Sequence, residues 1–359
     1  MRLGQLVGQL PVTLSASEQA VDITSLEYDS RLVRPGSLFV ALRGGYADGH
    51  NFGAQAVQQG AGALIVEEHL PLDVPQIVVA DTRETLATVA ATYHGNPSRE
   101  LVVIGITGTD GKTTTSYILD HILRSVGLTT GMIGTVSVRI ADETIDHETR
   151  QTTPESAEIQ HLLRQMADAN VTHAILEATS HGLDLHRLDH VEFQIGVVTN
   201  ITHEHLEHHK TIENYWAAKA RLFREVGRNH GQAVVNLDDP GARSVIPASE
   251  GCERIWTYAL HDQSADIWAK IEQSELFGSV GQVVINRTRH ELHIPLVGEF
   301  NVANALAALG AACALNLPPQ QVLEALAGTP QIPGRMTAIR AGQPFGVVVD
   351  YAHTPESLA

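Results

Sequence analysis

Apolar residues occur in short runs separated by stretches of helical spacing, and the two alternate along nearly the whole chain. In the first hundred residues, runs at 38–42, 63–66 and 76–80 read as strands, while 52–59 and 82–93 read as helices, closed by Gly60 and near Gly95-Asn96-Pro97. This predicts a small α/β domain ending in a linker at 95–99. From Leu101 the pattern strengthens. The run 101–107 is apolar almost throughout, as expected of a strand buried on both faces. Further strand-like runs at 132–138, 174–176, 195–199, 233–236 and 283–286 alternate with helical stretches at 112–125, 155–169, 212–225 and 301–315. Strands interleaved with helices imply a parallel sheet. Asn304 and a wealth of Ala and Gly make 301–317 a buried helix rather than a membrane span. The run 346–350 reads as one more strand, followed by Tyr351-Ala352-His353-Thr354-Pro355 and the first residues of a helix. A lone strand and a partial helix bury no core. They read as the opening of another domain or as an element docked on the middle one. The expected divisions are 1–98, 99–332 and 333–359.

The formal net charge of -17 argues against a nucleic-acid partner, which needs a basic surface. A small anionic ligand stays open, because a glycine loop and a few cations hold phosphate inside an acidic protein. The two cysteines, Cys252 and Cys313, form no metal spacing and read as buried free thiols of a reducing compartment. Met1 to Leu14 lacks a basic region followed by a long apolar run, so no secretory signal is evident and the cytoplasm is expected.

The chemistry concentrates at Gly105-Ile106-Thr107-Gly108-Thr109-Asp110-Gly111-Lys112-Thr113-Thr114, between a predicted strand and a predicted helix. Glycines there let backbone N–H groups converge on phosphate, and the helix N-terminus adds positive potential. Lys112 suits outer phosphates and Thr113 suits Mg²⁺, although the usual spacing asks for Gly where Ile106 stands. The densest polar cluster, His203-Glu204-His205-Leu206-Glu207-His208-His209, suggests a zinc protease motif. That motif fails, because Glu207 stands where its second His belongs.

Several segments in series resemble the Mur ligase family, nearest its MurE type. Gly108 to Thr114 resembles its GTNGKTT loop. Thr152-Thr153-Pro154, Glu177-Ala178-Thr179-Ser180-His181-Gly182 and His186-Arg187 resemble its TTP, EVSSHG and HR segments. Thr199-Asn200-Ile201 opens a stretch similar to TNLxxDHLDYH, with Glu204 and Glu207 in place of both Asp and His208 in place of Tyr. Tyr215 to Lys219, Gly298 to Asn304, Pro333-Gly334-Arg335 and Asp350 to Pro355 continue the resemblance. Asp29-Ser30-Arg31, Pro35-Gly36 and Asp48-Gly49-His50 resemble the family's UDP-binding domain.

The resemblance implies a small α/β UDP-binding domain, a central P-loop-type parallel-sheet ATPase domain, and the start of a C-terminal Rossmann-like domain. The implied activity is ATP-dependent amide formation, through an acyl phosphate, between a diamino acid and UDP-N-acetylmuramoyl-L-alanyl-D-glutamate in peptidoglycan precursor synthesis. Gly108, Thr109, Asp110, Gly111, Lys112, Thr113 and Thr114 would hold the ATP phosphates. Asn301 and Asn304 would face adenine, Arg335 the γ-phosphate and Asp350 the ribose. Thr113, Glu177, His209 and Lys219 would hold Mg²⁺, with Lys219 carboxylated on nitrogen by CO₂. Lys112, Lys219, Glu177 and His209 form the implied catalytic set. Ser30 and Arg31 would meet UDP; Thr152, Thr153, Ser180 and Arg187 would meet the muramoyl peptide or its pyrophosphate. Asn301 reads equally as a helix cap, the hydroxyls as caps or turn bonds, and Ser30-Arg31 as a surface turn. No nucleic acid, no membrane insertion and a monomer are expected.

In the family a third domain closes over ATP and selects the amino acid with an acidic-Asn-Pro-Arg segment, which this sequence lacks. The chain is therefore expected to bind precursor and ATP yet to complete the ligation poorly by itself. Meso-diaminopimelate, Lys and Orn all stay open as the added residue. Two other readings compete: a folylpolyglutamate synthase-like member, disfavoured by Asp29-Ser30-Arg31 and Thr152-Thr153-Pro154, and a nucleotide-sugar binding protein without catalysis.

Overall fold

The computed structural model describes residues 1–45, 47–145, 151–275, 278–339, 341–343 and 345–352. His353, Thr354, Pro355 and the helix expected after them lie outside the described residues.

The chain divides into two compact units, of which the first gathers Met1–Arg99 together with Pro154–Gln165 and Gly182–Val191. Its sheet has four parallel strands in sequence order: β1 (Ser25–Glu27), β2 (Ser37–Val40), β3 (Ala63–Val66) and β4 (Gln76–Val78). Alternate side chains serve opposite faces. Leu38, Val40 and Ile65 pack with Leu86 and Val89 of helix α1 (Thr82–Tyr93), whereas Phe39, Leu64 and Val66 pack with Ala56. Asp81 caps α1 by accepting from the backbone N–H groups of Arg83 and Glu84. The sequence pattern misses β1, whose Ser-Leu-Glu is half-buried and offers no apolar run.

The second unit comprises Glu100–Thr153, Met166–His181 and Glu192–Ala359. Its strands are β5 (Val102–Thr107), β6 (Thr130–Ile133), β7 (Val138–Ile140), β8 (Glu143–Ile145), β9 (His173–Glu177), β10 (Phe193–Val198), β11 (Gln232–Asn236), β12 (Arg254–Ala259), β13 (Ile267–Glu275), β14 (Gly278–Ile285) and β15 (Thr288–Ile294). They form one sheet in the order β15-β14-β13-β12-β11-β10-β5-β9-β6-β7-β8. The run from β13 to β6 is parallel, as the strand–helix alternation predicts, but β14 and β15 at one edge and β7 and β8 at the other are antiparallel. The apolar run 132–138 is thus not one strand. The N–H of Gly134 donates to the carbonyl of Ser137 (3.3 Å) and turns the chain back into β7. The run 283–286 is only the better-buried end of β14, whose solvent-facing half carries no apolar signal.

Helix α2 (Lys112–Ser125) keeps the expected bounds, and α3 (Ser156–Asp168), α4 (Ile212–Arg228) and α5 (Glu299–Ala314) follow the expected places with shifted ends, whereas α6 (Pro319–Ala327) was not anticipated. Helix α5 is apolar nearly all round and accordingly buried. Its Val302, Leu306 and Leu309 share a core with Ile118, Leu119 and Ile122 of α2 and with Ile104 and Ile106 of β5. Each such side chain stabilises the fold by roughly 1.5–3 kcal/mol, and together they fix the strand and helix that flank the glycine loop.

The strand expected at 346–350 shrinks to β17 (Val348–Val349), paired with β16 (Thr337–Ala338). Val348 and Val349 are exposed, so no buried face extends the pairing. Cys313 is buried, whereas Cys252 is half-buried. No helix among the described residues is long and apolar enough to cross a membrane.

Candidate active site

The loop between β5 and α2 takes a backbone that only glycine tolerates at two positions, Gly108 and Gly111. Gly111 has φ +82°, and a Cβ there would lie 2.2 Å from Asn304 Oδ1; at Gly108 it would lie 1.8 Å from Thr199 Oγ1. Asn200 braces the loop, accepting from the N–H of Thr109 with its carbonyl (2.7 Å) and from the N–H of Asp110 with Oδ1 (2.9 Å). The loop therefore opens directly onto the N-terminus of α2, where unsatisfied N–H groups favour an anion. Lys112 Nζ donates to the carbonyls of Gly108 (2.9 Å) and Thr109 (2.7 Å). Burial lowers its pKa, against the pull of Glu177, Glu204 and Asp110.

Glu177 ends β9 and is buried among hydroxyls. Thr113 Oγ1 lies 2.9 Å and Thr135 Oγ1 2.8 Å from its Oε2, and Oε1 accepts from the N–H of Thr135 (3.1 Å). Arg335 Nη2 donates to Thr113 Oγ1 (3.2 Å). A carboxylate surrounded by hydroxyl oxygens, with no sulfur in the set, suits a hard divalent cation such as Mg²⁺. Thr152 Oγ1 reaches Thr135 Oγ1 (3.1 Å), and Thr153 Oγ1 donates to the carbonyl of Glu177 (2.7 Å), so both threonines border this cluster. Ser180 is buried, and its Oγ has no hydrogen-bond partner among the described residues.

Lys219 projects from α4 and is 1% exposed. Its Nζ donates to the carbonyl of Gly108 (2.7 Å) and lies 4.6 Å from the centre of the Tyr215 ring. Burial, then the charge of Lys112, lowers its pKa well below the usual lysine value. The Tyr215 hydroxyl pairs with Thr109 Oγ1 (3.0 Å) and donates to Glu204 Oε2 (3.4 Å). His209 is buried against the same ring, with centroids 5.3 Å apart, and its carbonyl accepts from Asn214 Nδ2 (2.9 Å). Lys219 and His209 thus flank one aromatic ring beside the loop.

Asn304 reaches Thr115 Oγ1 (3.5 Å) and donates to Asn301 Oδ1 (3.3 Å), while Asn301 donates to the carbonyl of Val297 (2.8 Å). Asp350 sits in an exposed turn, where its two oxygens accept from the N–H groups of Met336 and Ala352 (both 2.7 Å).

In the first unit, a cavity of about 550 Å³ is lined by Tyr28, Ser30, Arg31, Phe52, Arg83 and Glu155, among others. Ser30 Oγ donates to Gln55 Oε1 (3.2 Å), and Arg31 pairs with Asp29 (2.5 Å), holding that carboxyl below its ordinary range. Arg187 Nη2 pairs with Glu155 (2.8 Å). Sequence reasoning assigned nothing to Thr135, Glu155 or Arg83, and no role to Asn200 or Tyr215. Asn200 and Tyr215 lay within recognised segments, whereas Thr135 and Arg83 stand outside any motif.

Model families described as Mur ligase middle domain and Mur ligase family, catalytic domain match residues 106–312 and 22–94. A protein of Bacillus licheniformis named UDP-N-acetylmuramoyl-L-alanyl-D-glutamate–2,6-diaminopimelate ligase is 40% identical over 364 residues, covering 100% of this chain and 74% of that protein. One of Roseiflexus sp. named UDP-N-acetylmuramyl-tripeptide synthetase is 41% identical, covering 99% of this chain and 72% of that protein. A solved structure of a UDP-N-acetylmuramoyl-L-alanyl-D-glutamate–2,6-diaminopimelate ligase superposes with a TM-score of 0.83 at 31% identity, over 100% of this chain and 73% of that one.

Proposed function

The chain belongs to the Mur ligase family, and we propose that it joins a diamino acid to UDP-N-acetylmuramoyl-L-alanyl-D-glutamate at the expense of ATP, in the cytoplasm and as a monomer. The substrate carboxylate takes the γ-phosphoryl group of ATP: an O–P bond forms, the β–γ bridge breaks and ADP leaves. The amine then attacks the acyl carbon, a C–N bond forms, and phosphate departs as the nitrogen loses a proton.

The chain's own residues fit these tasks. Lys112 exchanges the loop carbonyls for phosphate oxygens, with the N–H groups at the start of α2 around them. Arg335, already bonded to Thr113, adds a cation on the γ-phosphate side. Asn301 and Asn304 face adenine and Asp350 the ribose. Thr152, Thr153, Ser180 and Arg187 bind the muramoyl peptide, and Ser30 and Arg31 the UDP end. Thr113 and Glu177 would hold one Mg²⁺, and His209 with carboxylated Lys219 a second. Bound Mg²⁺ would neutralise the phosphate charge that builds up during transfer.

The observation that carries the reading is the buried Lys219 amine against Gly108 of the loop. A neutral amine is what CO₂ requires, and burial beside Lys112 favours the neutral form. Calorimetric titration with UDP-N-acetylmuramoyl-L-alanyl-D-glutamate tests the proposal. Saturable binding is expected, with ADP formation that depends on this precursor; no binding at millimolar precursor would overturn it.

A further inference from the structure

We infer that Glu155 is a positioning residue for Arg187, an internal carboxylate that holds this guanidinium ready for an anionic oxygen of the precursor. The inference rests on the ligase reading above.

Glu155 is 7% exposed, and both of its oxygens accept from Arg83 Nη1 (3.1 and 3.0 Å). Arg187 Nη2 lies 2.8 Å from Oε1. All three residues belong to the first unit but come from different segments of it: Arg83 from α1, Glu155 from the entry to α3, and Arg187 from Gly182–Val191. The carboxylate is fixed in its turn. The N–H of Glu155 donates to Glu158 Oε2 (3.2 Å), and Glu158 Oε1 accepts from the Tyr28 hydroxyl (3.0 Å).

A buried ion network of this kind is weak evidence for stability, since apolar residues of similar volume often do as well. What it supplies is geometry. A free arginine side chain holds about 2 kcal/mol of rotamer entropy, which a ligand would otherwise have to overcome. Glu155 removes that cost before the ligand arrives. Arg83 and Glu155 also line the first-unit cavity with Tyr28, Ser30 and Arg31, and Arg187 joins that wall through its bond to Glu155. The anionic oxygen is a peptide carboxylate or a pyrophosphate oxygen, the two groups for which a guanidinium fork is suited.

The test is calorimetry on the full chain and its E155A, R187A, E155Q and E155A/R187A variants. Titrants are UDP-N-acetylmuramoyl-L-alanyl-D-glutamate, UDP and the ATP analogue adenylyl imidodiphosphate. E155A is expected to weaken dipeptide-precursor binding about tenfold, with E155Q, which keeps one acceptor for Arg187, in between. The double variant should bind no more than about twofold worse than R187A, because Glu155 acts through Arg187. Affinity for the ATP analogue should stay within about twofold. A loss confined to the dipeptide precursor identifies the carboxylate as the partner, and one shared by UDP identifies the pyrophosphate. Losses that multiply in the double variant, or fall equally on the ATP analogue, would overturn the inference and leave the ligase reading standing. Unchanged precursor binding by R187A would overturn that reading's placement of Arg187, and the inference with it.

Discussion

The Nζ atoms of Lys112 and Lys219 converge on one acceptor, the carbonyl oxygen of Gly108, at 2.9 and 2.7 Å. Two ammonium groups on one carbonyl repel each other, and burial followed by the charge of Lys112 lowers the pKa of Lys219 well below the usual lysine value. Carboxylation of Lys219 would turn that repulsion into attraction.

Lys219→Arg should therefore lose precursor-dependent ADP formation by about 100-fold or more, since a guanidinium stays charged and takes no CO₂. ADP formation, measured with and without bicarbonate, checks this. The unaltered chain should respond to bicarbonate and the variant should not.

Lys112→Ala should weaken binding of an ATP analogue by about 10- to 100-fold, the value of a charged hydrogen bond of roughly 1.5–3 kcal/mol. The melting temperature should fall only slightly, because desolvation of the buried Lys112 amine offsets much of what its two carbonyl bonds contribute. Calorimetry and a thermal melt read the two quantities separately.

Gly134→Ala should disable the Glu177 cluster without altering any of its members. A Cβ at Gly134 would lie 2.2 Å from Glu177 Oε1, so the carboxylate must leave Thr135 or the turn into β7 must open. Overpacking of this kind costs about 1–3 kcal/mol. A lower melting temperature and weaker Mn²⁺ binding by electron paramagnetic resonance are expected together.

The first unit should lose stability on mild acidification. His94 packs near His161, 5.3 Å between ring centroids, and against Tyr93. Burial, with the charges of His161 and Arg164, lowers its pKa from 6.5 to about 4. Between these values the unfolded chain binds the extra proton, so stability is full above pH 6.5 and falls as pH drops toward 4. Thermal melts across this range should show the decline, and His94→Gln should flatten it.

The parallel centre of the second unit was legible because strands buried on both faces read as continuous apolar runs, as at Ile104 and Ile106. The antiparallel edges were not. Each of their strands has a solvent-facing side, and the turn at Gly134 is set by one backbone hydrogen bond inside an apolar run. The phosphate loop was readable from Gly108, Gly111 and Lys112, whose spacing carries the chemistry. Thr135 was not, because a hydroxyl that meets Glu177 across two strands leaves no local pattern. Glu155 stands next to a recognised Thr-Thr-Pro segment, yet its partners lie 72 and 32 residues away, and sequence spacing encodes no such pairing.

The first unit is stitched from three stretches of polypeptide, with its arginine clasp distributed over all of them. A gene fragment ending at Arg99 would carry the whole four-stranded sheet but neither Glu155 nor Arg187. The unit is therefore not a cassette that recombination could move between proteins in one exchange; sheet and clasp have to be inherited together with the chain that threads between them.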